Sequence, residues 1–318
     1  MKPLVIIAGP TAIGKTLVSI ELAKRVNGEI ISADSMQVYR GMDIGTAKIK
    51  NEEMQGITHY MIDIMEPYDT FNVSVFKNYA KECINRIYDK NKLPIIVGGT
   101  GFYIQAVLYD IDFKEYDEDK ALKIRQKYEA LSQERGIDFV YEYLQSMDPD
   151  AAALIPKQNK KRVIRAIEYY ELTGEKISVH NKKEREKKSL YNDAYFVLTD
   201  RREKIYENID KRVDIMMKEG LLSEVRGLYE GGISESSTAM QGLGYKQLYK
   251  YLKGEYDLDT AVYKIKQETR HFAKRQLTWF KREKNAIMLD KNSFKDDTAG
   301  ILDEMLIILK EKGIFDGA

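Results

Sequence analysis

The sequence is poor in the residues that form disulfides and zinc sites. Its 318 residues include one cysteine, Cys83, and three histidines. A single cysteine excludes an internal disulfide, and so few thiol and imidazole groups argue against a structural zinc site. Cys83 lies four residues from both Tyr79 and Ile87, which predicts a core position on a helix. These scarcities indicate a reducing compartment, and we expect a cytoplasmic protein.

Long hydrophobic runs are also missing. No apolar stretch approaches the roughly 18 residues that a membrane span requires, so we predict no membrane partner. The chain opens Met1-Lys2-Pro3 and enters an apolar run at once, so we expect no signal peptide. A hydrophobic content of 43% nevertheless supports a sizeable core, and the length predicts one large domain or two ordinary ones. We expect a monomer.

Net charge is nearly absent, at +1, but the charges are unevenly distributed. The segment Ile155–Leu190 carries eleven Lys and Arg against five Asp and Glu, and Val262–Lys284 carries eight against two. Each block therefore has a net charge of +6, and the rest of the chain has −11. Two basic blocks on an acidic background favour a polyanionic partner larger than a nucleotide, although two solvated helix faces would have the same composition.

The strongest motif, GPTAIGKT, fits the P-loop pattern G-x-x-x-x-G-K-[ST]. The apolar run Leu4–Ala8 precedes it, and a helical pattern that ends at Asn27-Gly28 follows it. Glycines let the backbone N–H groups of such a loop converge on an anion at a helix N-terminus, the lysine adds a positive charge, and the terminal hydroxyl can bind Mg²⁺. The motif predicts a bound diphosphate or triphosphate and does not specify ATP. Its residues are Gly9, Pro10, Thr11, Ala12, Ile13, Gly14, Lys15 and Thr16, the last being the predicted metal ligand.

Short β-branched runs alternate with helical patterns in the first third of the chain. This alternation predicts an α/β fold with a doubly wound parallel sheet, in which ligands bind beyond the carboxyl ends of the strands. The P-loop, Asp34 and Thr100 would then share one edge of the sheet. The further strand-like runs are Glu29–Asp34, His59–Ile64 and Leu93–Val97, and the clearest helical pattern is Val73–Asp89.

The alternation stops near Phe113, and only helical patterns follow as far as about Leu190. We therefore predict a P-loop-type α/β core formed by residues 1–114 and 191–318, with a helical insertion at residues 115–190. The helices predicted in the insertion are Ala121–Arg135, Ile137–Gln145, Asp150–Ile155 and Gln158–Thr173. The elements predicted after it are a strand at Ala194–Leu198, helices at Arg202–Tyr229, Gln247–Leu252 and Leu258–Lys284, an edge strand at Ala286–Asp290 and a terminal helix.

Asp34 is the most suggestive carboxylate, because it ends a predicted strand beside the P-loop. It could act as a general base for a nucleophile that attacks next to the bound diphosphate, or it could simply cap the following turn. A kinase or ATPase would place a Mg²⁺-binding Asp after such a strand, and Asp63 is a weak candidate. The more apolar strand Leu93–Val97 ends in Gly98 rather than an acid, which argues against ordinary phosphoryl transfer.

Three later segments could bind anions. Arg202 and Arg212 share one predicted helix and could bind a diphosphate, although surface arginines would show the same spacing. The glycine-broken segment Gln241–Lys246 could contact nucleic acid or be a linker. Between Arg270 and Arg282, basic and aromatic residues are interleaved, and we expect the aromatic residues to lie in the core. The predicted phosphate contacts of that segment are Lys274, Lys281 and Arg282.

Six motifs, in this order, resemble the tRNA isopentenyltransferase (tRNA dimethylallyltransferase) family: GPTAIGKT, ISADSMQVYRGMDIGTAK, GGTGFY, QNKKRVIRAIE, GLGYKQ and AKRQLTWF. The resemblance extends from Val5 to about Leu289. It implies transfer of a dimethylallyl group from dimethylallyl diphosphate to N6 of the adenosine 3′-adjacent to the tRNA anticodon. The P-loop hydroxyl of Thr16 predicts Mg²⁺ as the cofactor. Some members carry Arg-Cys where this chain has Gln241-Gly242, and the zinc-finger tail of eukaryotic members is not visible here.

The resemblance also implies roles for particular residues. Asp34 would accept the hydrogen of the attacking amine, Thr100 would lie at the reacting centre, and Arg212 would stabilise the departing diphosphate. The P-loop and Arg202 would bind the diphosphate of the donor. The implied tRNA-binding residues are Asp34, Ser35, Met36, Gln37, Thr100, Arg125, Gln158, Asn159, Lys160, Lys161, Arg162, Gln241, Gly242, Leu243, Gly244, Tyr245 and Lys246.

Two other classes of function remain open. One is a P-loop enzyme that acts on small molecules, either a nucleotide kinase or the related enzyme that prenylates free adenine nucleotides. The other is a non-catalytic RNA-binding protein. The basic blocks argue against the first class, and the presence of Lys15, Thr16 and Asp34 argues against the second.

Overall fold

The computed structural model describes residues 1–114 and 116–317. The strands in these residues form a six-stranded sheet in the order β3-β2-β4-β1-β5-β6, and every neighbouring pair is parallel. The predicted parallel α/β fold is therefore confirmed. The strands are β1 (Pro3–Ala8), β2 (Gly28–Ser32), β3 (His59–Tyr60), β4 (Leu93–Gly98), β5 (Asn192–Thr199) and β6 (Ala286–Asp290).

Helices link β1 to β2, β3 to β4 and β5 to β6, and they form the regular structure of the described residues between β4 and β5. In chain order the helices are α1 (Lys15–Arg25), α2 (Val73–Asp89), α3 (Gly101–Leu108), α4 (Glu118–Glu134), α5 (Gly136–Met147), α6 (Pro149–Leu154), α7 (Lys160–Thr173), α8 (Ile177–Glu186), α9 (Arg202–Glu219), α10 (Leu221–Glu230), α11 (Tyr245–Leu252), α12 (Leu258–Phe280) and α13 (Thr298–Glu311). In the described part of the chain, no helix combines the length and apolarity needed to cross a membrane.

The chain folds into two compact units. The first unit comprises Met1–Asp110 together with the chain from Ser189 onwards, and it contains the sheet. The second comprises Ile111–Lys188 and is helical in its regular structure. These boundaries lie a few residues from those predicted from the change of pattern in the sequence.

The sheet is covered on both faces, which explains why its central strands are continuously apolar. Every residue of Leu4–Ala8 in β1 is fully buried. Leu4 and Ile6 belong to one hydrophobic core, whereas Val5 and Ile7 belong to another. Because successive side chains of a strand point to opposite faces, these two cores lie on opposite sides of the sheet.

The register of the strands brings three loops together at one edge. Ala8 of β1 pairs with Gly98 of β4, and Ser32 of β2 pairs with Val97 of β4. The chain segments that leave β1, β4 and β2 therefore emerge side by side. A Cβ atom at Gly98 would lie 2.4 Å from the carbonyl oxygen of Ala33, so only glycine allows this close approach.

The helical unit has a hydrophobic core of its own, centred on buried residues of α5 and α7 such as Leu144 and Ile167. Helix α7 begins at an N-cap, Asn159, whose side chain accepts a hydrogen bond from the backbone N–H of Arg162. It ends at Gly174 in the left-handed conformation, where the sequence predicted its end.

Several local predictions need correction. The third strand is confined to His59–Tyr60 and does not reach Ile64, because Met61 and Asp63 adopt positive φ angles of 66° and 53° that turn the chain out of the sheet. The helix predicted over Arg202–Tyr229 is two helices, α9 and α10, separated by Gly220 at φ 105°. Cys83 is buried as predicted, but its presumed neighbour Tyr79 is exposed.

Candidate active site

The lysine of the P-loop is hydrogen-bonded to the backbone of the loop itself. Lys15 Nζ donates hydrogen bonds to the carbonyl oxygens of Gly9, at 3.1 Å, and Pro10, at 2.9 Å. Gly9 has φ 148°, and a Cβ atom there would lie 2.7 Å from the carbonyl oxygen of Leu198. Gly14 has φ 93° and forms the N-cap of α1. Both glycines are therefore required by backbone geometry, and they place the positive end of the α1 dipole beside the loop.

A polar cavity of about 130 Å³ opens beside this loop. Lys15, Thr16 and Asp34 are among the residues that line it. Arg212, from α9, reaches the same cavity. A cavity with two cations and a helix N-terminus on its wall is suited to a ligand with several negative charges.

A second, more apolar cavity of about 380 Å³ adjoins the first. The two share part of their lining, including Asp34, Arg212 and Phe272. Thr100 and the segment Gln241–Gln247 belong to the second cavity only. We call the first the polyanion cavity and the second the apolar cavity. Asp34 and Arg212 lie where the two cavities meet. The apolar part of the second cavity is formed by side chains that include Met36, Ile209, Val213, Met216 and Ile265.

Asp34 caps the turn after β2 and also lies on the wall of both cavities. One carboxylate oxygen accepts a hydrogen bond of 2.8 Å from the backbone N–H of Met36, so the side chain does cap the turn after β2. The carboxylate also faces both cavities. Burial raises the pKa of Asp34, and the Met36 N–H together with the charges of Lys15 and Arg212 opposes that rise. A carboxylate with a raised pKa in a cavity is a candidate for proton transfer.

The two cations of the site repel one another. The pKa of Lys15 is lowered to about 8, chiefly by burial and also by the nearby charge of Arg212, while Asp34 acts in the opposite direction. Burial likewise lowers the pKa of Arg212, again opposed by Asp34. The cluster of two cations and one anion is therefore short of negative charge. A bound diphosphate would supply that charge and stabilise both cationic forms.

Two threonines of the site, Thr100 and Thr16, lie at helix N-termini. Thr100 is the N-cap of α3, but its hydroxyl makes no capping hydrogen bond. Thr16 lies in the first turn of α1 and is exposed. Asp63, the alternative acid considered for Mg²⁺, forms an ion pair with Lys48 and does not line either cavity. Among the described residues, no group of three or more acidic, His or Cys side chains could hold a metal ion.

Glu224, on α10, organises one wall of the second cavity. Its carboxylate accepts hydrogen bonds from the backbone N–H groups of Asp43 (2.9 Å), Ile44 (2.7 Å) and Gly45 (3.1 Å). The hydroxyl of Tyr245 donates to the same carboxylate, and a Cβ atom at Gly45 would overlap the Tyr245 ring. Glu224 thereby joins the loop after β2 to the start of α11, both of which contribute to the cavity wall.

Comparison with known proteins identifies the family. Residues 37–283 match the family model described as IPP transferase. A tRNA dimethylallyltransferase of Lachnoclostridium phytofermentans is 59% identical over 314 residues, which cover 99% of each chain. The crystal structure of the tRNA isopentenylpyrophosphate transferase of Bacillus halodurans is 42% identical, with a TM-score of 0.73 over 98% of both chains. A eukaryotic dimethylallyltransferase acting on tRNA is 28% identical, with a TM-score of 0.79 over 99% of this chain and 80% of that one.

This chain belongs to the IPP transferase family. The match to the family model covers well over half of the chain, and the cavity residues outside it are those that precede Gln37, which include the P-loop and Asp34. The relatives of known structure extend the match to nearly the whole length, so that the P-loop is included. The resemblance that the six motifs carry is confirmed.

Some of the site residues that the resemblance to the IPP transferase family predicts line the two cavities, and others do not. Arg212 lines both cavities, whereas Arg202 is exposed at the start of α9 and lines neither. Gln37 lines the first cavity, but its side-chain oxygen accepts a hydrogen bond from the Ser32 hydroxyl at 2.9 Å. The predicted tRNA-binding residues that line the second cavity are Asp34, Ser35, Met36, Thr100, Gln241, Gly242, Leu243, Gly244, Tyr245 and Lys246.

The remaining predicted tRNA-binding residues belong to the helical unit. Arg125 pairs with the buried carboxylate of Glu168 through two hydrogen bonds, of 2.8 and 3.1 Å. This ion pair gives Arg125 a structural role that its spacing could not show. Asn159 caps α7, and Lys160 is half-buried. The exposed members of the predicted set in this unit are Gln158, Asn159, Lys161 and Arg162.

Two residues of the site escaped prediction from sequence. Gln276 lines both cavities and Glu224 supports one of them, but neither lies in a glycine loop or at a strand end. Gln276 lies within the AKRQLTWF motif, on the helical face that also carries Phe272 and Trp279. That face was assigned to the core because of its aromatic residues. The signal available in the sequence was a polar residue on a helical face that was predicted to be buried.

Proposed function

We propose that this protein transfers the dimethylallyl group of dimethylallyl diphosphate to N6 of the adenosine 3′-adjacent to the anticodon of tRNA. The observation that carries the proposal is the position of Asp34 and Arg212, which line both the polyanion cavity and the apolar cavity. The family and the relatives named tRNA dimethylallyltransferase support the same reaction.

In this reaction the amine nitrogen N6 attacks the allylic carbon of the donor. A bond forms between that carbon and N6, the bond from carbon to diphosphate oxygen breaks, and the diphosphate leaves with the electron pair. The attacking nitrogen becomes positively charged and releases a proton, which the carboxylate of Asp34 accepts. An adenine amine is a weak nucleophile, so the interaction with Asp34 accelerates the reaction because it strengthens as that charge develops.

The donor diphosphate would lie in the polyanion cavity beside the P-loop. Backbone N–H groups of the loop and the ammonium group of Lys15 would bind its oxygens, and Arg212 would stabilise the charge that develops on it as it leaves. Thr100, whose hydroxyl is not used for capping, would lie near the reacting carbon. The prenyl chain is apolar and small, and it would extend from the polyanion cavity towards the junction with the apolar cavity.

The site suits Mg²⁺ bound together with a diphosphate. Thr16, an exposed residue that lines the polyanion cavity, offers its hydroxyl oxygen as one ligand. Mg²⁺ commonly takes one or two protein ligands and completes its octahedron with phosphate oxygens and water, so the lack of an acidic cluster in the described chain does not count against it. The ion would help to neutralise the charge on the departing diphosphate.

The acceptor nucleotide would enter through the apolar cavity. A base in an anticodon loop must leave the stack of its neighbours to reach a buried carboxylate. The segment Gln241–Lys246 and the loop after β2 form walls of this cavity and would contact the extruded nucleotide. The exposed basic residues of α7 would bind tRNA phosphates. We further propose that the enzyme works in the cytoplasm as a monomer.

The direct test is mass spectrometry of tRNA nucleosides after incubation of the protein with unmodified tRNA, dimethylallyl diphosphate and Mg²⁺. We expect N6-(dimethylallyl)adenosine, with release of one diphosphate per modified nucleoside. Inorganic diphosphate should compete with the donor, and omission of ATP should have no effect. Consumption of ATP in step with modification would overturn the proposal in favour of phosphoryl transfer.

Two parallel reactions separate the other functions. Replacement of tRNA by AMP distinguishes an enzyme that prenylates free nucleotides, which would modify AMP at least as fast as tRNA. A single-turnover reaction with enzyme in excess over tRNA distinguishes a non-catalytic RNA-binding protein, which would bind the tRNA and leave its mass unchanged.

A further inference from the structure

Gln276 joins the P-loop to the glycine loop that follows β4. Its side-chain oxygen Oε1 accepts a hydrogen bond of 2.9 Å from the backbone N–H of Thr11. Its side-chain nitrogen Nε2 donates a bond of 3.0 Å to the carbonyl oxygen of Gly99. The residue is 6% exposed, so both bonds are protected from water. One amide therefore spans the two loops in a single orientation, because exchanging its oxygen and nitrogen would break both bonds.

The same face of α12 fixes the backbone on both sides of Thr100. A Cβ atom at Gly99 would lie 2.1 Å from Gln276 Nε2, and one at Gly101 would lie 2.2 Å from the Trp279 ring. A side chain at either position would therefore have to displace a side chain of α12. Thr100 lies between these two contact points, at the N-cap of α3.

We propose that Gln276 is a positioning residue, which holds Thr100 and the P-loop at the separation required for prenyl transfer. The proposal rests on the proposed function, since it assumes that the P-loop binds the donor diphosphate and that Thr100 lies at the reacting centre. Gln276 itself forms no bond to the reacting atoms in this scheme. It acts through the backbone of the two loops.

The physical reason is that transfer requires the donor carbon, the leaving oxygen and the acceptor nitrogen to be aligned. The P-loop determines where the diphosphate lies, and the loop after β4 determines where Thr100 lies. These loops leave neighbouring strands and are not joined beyond the sheet by their own backbone pairing, which ends at Ala8 and Gly98. A misplacement of about 1 Å can cost about 10²-fold in rate even when binding is retained.

The test uses Gln276→Met, which keeps the length of the side chain and removes both hydrogen bonds. We expect kcat for tRNA prenylation to fall by about 10- to 100-fold, while the dissociation constant of dimethylallyl diphosphate changes by less than about threefold, because the interaction acts on alignment rather than on binding. Gln267→Met, on the same helix but outside both cavities, is the matched control and should leave kcat unchanged.

A double-mutant cycle with Thr100→Val separates positioning from general stability. If Gln276 acts by placing Thr100, Gln276→Met should cost little further activity in the Thr100→Val background. A loss of activity equal in both backgrounds, or an unchanged kcat in the single variant, would overturn the proposal. Should Gln276→Met fail to fold, Gly99→Ala decides in its place, because the new Cβ displaces the amide nitrogen and leaves Gln276 intact.

Failure of this proposal is distinguishable from failure of the proposed function. If the wild-type protein does not prenylate tRNA, the assignment of the reaction is wrong. If the wild-type protein prenylates tRNA and Gln276→Met does so equally well, only the positioning role is wrong.

Discussion

Three charged side chains determine the electrostatics of the site, and each changes the protonation of the others. Asp34 raises the pKa values of Lys15 and Arg212, whereas these two cations oppose the rise that burial causes in the pKa of Asp34. Because Lys15 and Asp34 occur in local motifs, sequence alone identified them. Gln276 bonds to a residue 265 positions away, so its role depends on tertiary structure that no local pattern encodes.

Asp34→Asn tests the proposed base. Asn can still accept the hydrogen bond from the Met36 N–H, so we expect the fold to be retained. The variant cannot accept the proton from N6, and we expect kcat to fall by about 10²–10⁴-fold with a much smaller change in donor KM. Steady-state kinetics and a melting curve check both points. Asp63→Asn is the matched control, because Asp63 lies outside both cavities and should leave kcat near the wild-type value.

The pH profile gives a second criterion for the same residue. Since burial raises the pKa of Asp34, the acid limb of kcat/KM should lie at a higher pH than that of an ordinary aspartate. That limb should disappear in Asp34→Asn. Wild-type kcat in this variant would mean that another group accepts the proton.

Lys15 predicts how donor binding depends on pH. Its pKa is lowered to about 8, and a bound diphosphate favours the ammonium form. Below pH 8 the charge is already present. Above pH 8 binding must take up a proton, so donor affinity should fall by up to tenfold per pH unit until the pKa of the complex is reached. Calorimetric titration with dimethylallyl diphosphate measures this slope, and Lys15→Met should remove it. Lys24→Met, an exposed position on the same helix, should keep it.

Stability should change in the opposite direction through the same group. The pKa of Lys15 is lower in the folded protein than in the unfolded chain, so the unfolded chain binds more protons above about pH 8. The contribution of Lys15 to the free energy of unfolding therefore becomes more favourable as pH rises above about 8 towards the pKa of the unfolded chain. A loss of donor affinity that merely followed unfolding would not show these opposite signs.

At the scale of secondary structure, sequence predicted the elements that are long and have a clear apolar face. Helix α2 has the predicted bounds, because its buried residues repeat at helical spacing. Helix α3 was not predicted because it begins inside a glycine loop, at Gly101. Helix α8 was missed as a separate element because it has no fully buried residue and hence no apolar periodicity to detect. The break at Gly220 was missed because the pattern on its two sides is continuous.

Glu224→Gln tests the connection between α10 and the loop after β2. Glutamine has one oxygen in place of two and brings an NH₂ group towards backbone N–H donors, so part of the donor set around Asp43–Gly45 loses its partner. An unsatisfied donor costs about 1–3 kcal/mol, so we expect the free energy of unfolding to fall by about that amount and the melting temperature to fall with it. Because this loop lines the apolar cavity, the KM for tRNA should rise while the dissociation constant of the donor stays unchanged.

The control for this change is Glu230→Gln, which removes the same charge from an exposed position at the end of α10. It should leave both the melting temperature and the KM for tRNA at wild-type values. A rise in the donor dissociation constant in Glu224→Gln, with an unchanged KM for tRNA, would contradict the assignment of this wall to the acceptor.

At the scale of the whole molecule, the two basic blocks of the sequence predict a polyanionic partner. The structure shows which cations of the first block are already paired with carboxylates. The block Ile155–Leu190 lies almost entirely in the helical unit, but ion pairs occupy several of its cations. Lys157 pairs with Asp138, Arg165 with Glu168 and Lys183 with Glu175. Because these cations have carboxylate partners within the unit, they contribute less to a tRNA-binding surface. Lys161 and Arg162, at the start of α7, are exposed and remain the best candidates for phosphate contacts.

Replacement of Lys160, Lys161 and Arg162 by alanine tests those contacts together. Each phosphate contact that is lost should reduce the slope of log K against log salt concentration for tRNA binding by about 0.7–0.9. A triple variant should therefore show weaker binding at low salt and a slope smaller by about two units or more, with donor affinity unchanged. The matched control removes three lysines from α4, Lys120, Lys123 and Lys127, and should leave the slope intact. Equal slopes in the wild type and the α7 variant would assign these residues to a solvated helix face. A change in net charge alone would lower the slope alike in the α7 variant and in the α4 control.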